Sequence, residues 1–224
     1  MDYNTQKAFD FLKEHNDLIK NREWSKLYQI SLKQNIGIDI WHNCLSLILS
    51  SAAYKYTPDI LLSSLEIIPT SFFLGQHALF KLDIPNNVRI IQDKAFLGCN
   101  DLQKLSIAGS VVLIGKQAFW GNSNLKEIKL EEGIQLLEEG AFESTGISEI
   151  TIPKSVREIG SACFSQCKDL KKVIFLGTEL SVPENDLLKI FKTKKPKVTI
   201  CCHKNSQIET LANEKNFDIT YLEK

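Results

Sequence analysis

A repeat of 22–23 residues limits what this chain can fold into more than any other feature. Phe73, Phe96, Phe119, Phe142 and Phe164 are spaced 23, 23, 23 and 22 residues apart. Six residues after most of them comes a leucine: Leu79, Leu102, Leu125 and Leu170. In the fourth repeat Ile147 fills that slot, five residues after Phe142. Leu82, Leu105, Ile128, Ile150 and Val173 follow three residues later, and Ile84, Ile107, Leu130, Ile152 and Phe175 two beyond those. One register thus fits about five turns between Leu65 and Phe175. A single turn cannot close its own core, so such a chain must be stabilised by stacking neighbours.

The pattern inside a turn is physical. Leu105 and Ile107 stand two apart, the period at which a strand places both on one face. A second short apolar run follows, Val88 to Ile91 or Val156 to Ile159, and then a small residue and Phe: Ala95-Phe96, Ala118-Phe119, Ala141-Phe142, Cys163-Phe164. The rings are expected inside the coil, each against the ring of the next turn. Burying one contributes roughly 1.5–3 kcal/mol before entropy is counted.

The segment Ile152 to Leu170 carries Ile152-Pro153, Ser155-Val156, Ile159-Gly160, Cys163-Phe164 and Cys167 in order. It resembles the BspA-like leucine-rich repeat, I-P-x-S-V-x-x-I-G-x-x-A-F-x-x-C-x-x-L. The copy from Ile84-Pro85 through Ala95-Phe96 to Cys99 fits nearly as well. The resemblance covers about half the chain. It implies an α/β, right-handed leucine-rich-repeat solenoid used for adhesion or protein recognition, here in a protein of bacterial or phage origin. Some turns depart from the pattern. Ala108-Gly109 and Glu131-Glu132 replace Ile-Pro, and the fourth turn has lost one residue around Ser144-Thr145-Gly146, where a local distortion is expected.

Three regions follow: 1–60, 61–176 and 177–224. In the first, Ala8, Phe11, Leu12, His15, Leu18 and Ile19 fall at helical spacing, with Asn4 as N-cap. Trp24 to Ile30 suggests a second helix, and Asp39 to about Tyr54 a third, before Thr57-Pro58 restarts the chain. These are read as a helical cap on the open end of the coil; a separate functional domain is the alternative. Residues 61–176 are the repeats. After them, Pro183 to Lys197 reads as a degenerate turn and Val198 to Cys202 as a strand. Ser206 caps a helix to about Lys215, and Phe217 to Leu222 returns as a strand, giving a strand–helix–strand cap.

Lys plus Arg and Asp plus Glu are both 27. A zero net charge argues against a general nucleic-acid binder, which needs a basic excess over phosphate. The run Lys192 to Lys197 lacks interleaved aromatics and reads as a solvated loop. The start of the chain shows no basic segment followed by an apolar run, and the most apolar stretch, Leu45 to Ala53, is interrupted by Ser46, Ser50 and Ser51. A cytoplasmic protein with no membrane association is expected.

The chemistry of an enzyme is missing. There is no nucleophile elbow, P-loop, zincin or dinucleotide motif, and His15, His42, His77 and His203 sit in different segments. Glu131-Glu132 and Glu138-Glu139 read as solvated pairs. Cys99 and Cys167 occupy the same position three turns apart, roughly 14 Å at strand spacing, beyond the roughly 7 Å that a disulfide bridges. Cys163 stands where other turns have Ala, and Cys44 lies in a helix, so reduced structural cysteines are expected. Cys201-Cys202-His203 raises a zinc hypothesis, weakened because neighbouring ligands on a strand point to opposite faces. No cofactor and no catalytic residue are assigned.

The outward positions of the longer strand form the candidate binding face: Phe80, Lys81, Lys104, Lys126, Lys129, Lys171, Lys172 and Ile174. Six lysines oppose Asp83, Glu127 and Glu149, making the strip modestly basic, with Phe80 and Ile174 as apolar ends. The leading expectation is a monomeric, non-enzymatic module that binds an acidic protein partner. A surface or secreted adhesin, and an enzymatic or nucleic-acid activity in residues 1–60, are the alternatives.

Overall fold

The apolar runs of each repeat form strands that alternate in length along the chain. In the computed structural model, which describes residues 3–21, 23–50, 58–63, 65–77, 79–191 and 198–223, they are β1 (Ile67–Ile68), β2 (Lys81–Ile84), β3 (Ile90–Ile91), β4 (Lys104–Ile107) and β5 (Leu113–Ile114). There follow β6 (Glu127–Leu130), β7 (Leu136–Leu137), β8 (Glu149–Ile152), β9 (Glu158–Ile159) and β10 (Lys172–Phe175), then β11 (Thr199–Cys202) and β12 (Asp218–Tyr221). The two-residue strands pair in parallel in the order β1-β3-β5-β7-β9. Their inward residues Ile68, Ile91, Ile114, Leu137 and Ile159 are fully buried. The longer strands make a second wall, also parallel.

A third backbone ladder fixes the aromatic core. The amides of Phe73, Phe96, Phe119, Phe142 and Phe164 donate to the carbonyls of Ala95, Ala118, Ala141, Cys163 and Ile190. Each bond sets a ring one turn above the last, and the small residue before Phe96, Phe119, Phe142 and Phe164 leaves room for it. The five rings stack nearly parallel, tilted by 2–7°, with centroids 5.0, 5.1, 5.4 and 6.2 Å apart. Beside the rings, the side chains of Cys99, Asn122 and Cys167 donate to the carbonyls of Phe73, Phe96 and Phe142.

The longer wall is broken. It consists of a three-stranded sheet, β2-β4-β6, and a four-stranded sheet, β8-β10-β11-β12, with no ladder between β6 and β8. The local distortion expected at the fourth turn takes this form. The cause is the residue missing from the fourth repeat. Its chain cuts the corner at Gly146, where a β-carbon would overlap the Ser123 carbonyl. The ring spacing widens to 6.2 Å at the same level. Ile128 and Leu130 are left partly exposed, whereas their counterparts Leu105, Ile107, Ile150 and Ile152 are buried.

The ends are closed by rings. Helices α1 (Tyr3–Glu14), α2 (Asn16–Lys20), α3 (Trp24–Lys33), α4 (Ile38–Ser50) and α5 (Pro58–Leu62) precede the coil. The single helix expected from Asn4 to Ile19 is split at His15, and Asn4 lies inside α1 instead of capping it. The end of the third expected helix, at 51–54, and Thr57 lie outside the described residues. Tyr28 and Trp41 pack on Phe72 at 5.2 and 5.4 Å, Tyr28 donates to the Thr70 carbonyl, and Phe72 meets Phe73 at 4.8 Å. At the other end, the expected degenerate turn is a 3-10 turn at Pro183–Asn185 followed by α6 (Leu188–Phe191). The basic run 192–197 lies outside the described residues. Phe191 continues the ring series, tilted, 6.3 Å from Phe164, and Phe217 follows at 5.7 Å. Helix α7 (Gln207–Glu214) is capped by Ser206, which accepts from the Glu209 amide. Pairing of β10 with β11 and β11 with β12 carries the wall past residue 176, the expected end of the repeats. Among the described residues no helix is long and apolar enough to cross a membrane.

Phe119→Ala, in the middle of the stack, is expected to lower unfolding free energy by about 3–5 kcal/mol in urea titrations. A loss below about 1 kcal/mol would show that the rings do not form the core.

Candidate protein-binding face

The register of the longer strands brings outward side chains into rows. Lys81, Lys104 and Glu127 are aligned, as are Asp83, Ser106 and Lys129. Beyond the break, Glu149 aligns with Lys172, and Thr151 with Ile174. A groove of about 430 Å³ lies over β2, β4, β6 and β8. Leu105, Ile128 and Ile150 form its apolar floor, and charged and hydroxyl side chains form its rim.

Of the expected site residues, Lys81, Lys104, Lys126 and Lys129 line this groove. Phe80 stands just before β2 and is 59% exposed, but it lies outside the groove lining. So do Lys171, Lys172 and Ile174, which belong to the β10 turn, where Ile174 is half-buried. Sequence reasoning missed the groove's floor. The signal was the short fourth repeat, which exposes Ile128 by opening the seam. Another outward apolar row, Ile67, Ile90, Leu113 and Leu136, lies on the two-residue strands, and Ile67 is 42% exposed.

The lysines are not a free cationic strip. Lys104 pairs across the ladder with Glu127 at 2.9 Å, and Lys172 with Glu149 at 3.4 Å. Lys81 meets Asp83 at 2.7 Å and Lys129 meets Glu131 at 3.0 Å. Lys126 reaches past the short turn to Asp169 at 2.8 Å. Its hydrogen bond and charge hold the Asp169 carboxyl below its ordinary range, and Lys129 does the same to Glu131. Asp169 also borders a second hollow of about 360 Å³, walled by Ser123, Ser144, Thr145 and Gln166.

All six cysteines are free thiols, five of them buried. Burial pushes Cys44 and Cys99 up to about 12 and Cys163 higher still, so none of these three offers a thiolate near neutrality. Cys201 and Cys202 are both buried, and His203 Nε2 lies 3.1 Å from the Leu176 carbonyl. Among the described residues no group of three or more His, Cys, Asp or Glu side chains is placed to hold a metal ion.

The profile of the BspA type leucine rich repeat region matches residues 50–171 in six copies, more than half of the 224 residues. This chain belongs to the BspA-type leucine-rich-repeat family. The BspA-type coil is similar to a leucine-rich repeat protein from Bacteroides ovatus, with 25% identity and a TM-score of 0.53, over 70% of this chain and 42% of that one. It is also similar to the T. pallidum leucine rich repeat protein, with 25% identity and a TM-score of 0.50, over 65% of each chain. The pneumococcal vaccine antigen PcpA, at 17% identity and a TM-score of 0.54 over 71% of this chain and 45% of its own, shares the fold. This chain therefore spans less than half the length of the Bacteroides and pneumococcal proteins. No curated protein matches the sequence.

The buried thiols give the coil an alkaline limit. Cys44 and Cys99 have an ordinary value of 9.0 and one of about 12 when buried, so the folded state keeps its protons to higher pH. Their contribution is complete below about pH 9 and is lost as pH rises toward 12. Urea midpoints measured across this range should fall with pH, and the fall should be smaller in Cys99→Ala. An unchanged profile in that variant would remove Cys99 as a cause.

Proposed function

We propose that this BspA-type coil is a non-enzymatic protein-interaction module that docks a partner protein on the face of β2, β4, β6 and β8. The observation that carries this reading is the 430 Å³ groove with an apolar floor and a charged rim, the layout of an interface in which a buried apolar centre is ringed by polar groups. The ion pairs revise the electrostatics expected from the sequence. Five of the six lysines already have a carboxylate, so general attraction for an acidic surface is weak. Exposed ion pairs hold little net energy, and a partner whose charges match can exchange with them. Six free cysteines fit a reducing compartment, which supports a partner inside the cell.

The test is a pull-down from source-cell lysate with mass spectrometry, comparing wild type with Lys104→Glu, Lys126→Glu, Lys129→Glu, after circular dichroism shows the variant folded. A protein retained by wild type and released by the variant is the expected result. A specific protein held equally by both would move the site off this face. Binding only to extracellular or host-surface proteins would favour an adhesin over an intracellular module.

A further inference from the structure

The shortened corner of the fourth repeat carries the second hollow, of about 360 Å³, beside Gly146. We propose that this hollow binds a neutral pyranose sugar. The site shares no lining residue with the groove over β2, β4, β6 and β8, so it stands independently of the protein-docking reading.

The first observation is a set of backbone amides that the short turn leaves over. In the turns on either side, Leu125 donates to the Asn122 carbonyl and Leu170 to that of Cys167. The next amide then reaches the neighbouring turn, Lys126 to Gln103 and Lys171 to Ser148. In the fourth turn the amides of Gly146, Ile147 and Ser148 have no backbone acceptor among the described residues. Gly146 and Ile147 are buried. Buried amides are almost always paired, with protein or with a group that enters from outside. Gly146 lines the hollow, and no side chain fits on it, because a β-carbon would meet the Ser123 carbonyl and Lys126 Nζ.

The second observation is the chemistry of the wall. Ser123, Ser144 and Thr145 bring hydroxyls, and Gln166 an amide; both groups donate and accept. Lys168 only donates. Asp169 only accepts, since Lys126 at 2.8 Å holds its carboxyl below the ordinary range. No large aliphatic or aromatic residue lines the hollow.

That mixture discriminates among ligand classes. An anion would sit beside the Asp169 carboxylate, and a cation beside Lys168. An apolar group would leave the hydroxyls and amides without partners, at a cost for each buried one. A sugar ring avoids all three conflicts. Each of its hydroxyls donates one bond and accepts others, so neighbouring hydroxyls can take opposite roles against Asp169, Lys168 and the Gly146 amide. The volume lies near the lower end of the roughly 300–1,000 Å³ of small-molecule sites, which suits one ring better than a chain. With no aromatic face to stack on, the expected dissociation constant is about 1 mM or weaker.

The test is a titration of the isotope-labelled full chain with methyl glycosides of glucose, galactose, mannose and N-acetylglucosamine, followed by amide NMR spectra to tens of millimolar sugar. At least one sugar should shift the amides of Gly146, Ile147 and Ser148 saturably and leave those of Lys104 and Ser106 unmoved. Asp169→Ala and Lys168→Ala, both at exposed positions, should each weaken that sugar at least about tenfold. Lys104→Glu, in the groove, should bind it as the wild type does. No saturable shift with any of the four sugars, shifts that spare Gly146 to Ser148, or binding indifferent to Asp169→Ala would overturn the inference. Shifts at Gly146 to Ser148 with sodium phosphate and with no sugar would also overturn it, in favour of an anion site. Each of these results leaves the protein-docking reading to its own pull-down.

Discussion

Everything in this coil depends on each turn rising by one strand spacing. Parallel strands sit about 4.8 Å apart, and the rings of the phenylalanine stack are 5.0–5.4 Å apart through most of the array. The two spacings agree because the amide of each Phe is bonded to the carbonyl just before the next one. Between the two ends of the array the position in front of each ring holds a small buried side chain, Ala95, Ala118, Ala141 or Cys163, while at the ends Phe72 and Ile190 take that place. A larger residue at one of the four middle positions would push one turn off its neighbour and break the outer ladders with it.

The fourth turn shows how much of this can be relaxed. Losing one residue leaves the Phe142–Cys163 bond and the β7–β9 pairing in place, so the inner side of the coil stays continuous. The slack is taken up on the opposite wall, where β6 and β8 part. The break exposes little of the core, since Ile150 and Ile152 stay buried and only Ile128 and Leu130 are partly exposed, and Lys126 reaches Asp169 two turns away. Natural folds break their own local rules mostly at functional or strained sites, and here the break and the groove occupy the same place.

The repeat was legible because its signal is redundant: five positions recur together, so the register survives the loss of any one. The strand–helix–strand end was legible because Ser206 is a strong cap and short apolar runs flank the helix on both sides. What the sequence hid was spacing in three dimensions. The missing residue beside Gly146 was visible, but whether the slack opens the inner or the outer wall depends on which hydrogen bonds are stronger, and no linear pattern reports that. The charge of the face misled for a related reason. Counting outward residues strand by strand omits Asp169 and Glu131, which lie in loops and fold back onto Lys126 and Lys129. The helix break at His15 was also beyond the pattern, because the apolar spacing continues across it to Leu18 and Ile19.

A face of paired charges discriminates differently from a bare cationic one. A strip of free lysines attracts any acidic surface, and salt abolishes that attraction indiscriminately. Here Lys104 faces Glu127 and Lys172 faces Glu149 on neighbouring strands. A partner must offer both signs in matching positions or leave one member of a pair without its counterpart when water is expelled. The ladder holds the backbone positions of these charges at fixed strand spacings, so their order along the wall does not change even though the exposed side chains can turn. Rigidity that arises from the ring stack thus fixes the charge pattern of the wall outside it, which is the selectivity the proposed docking face would have.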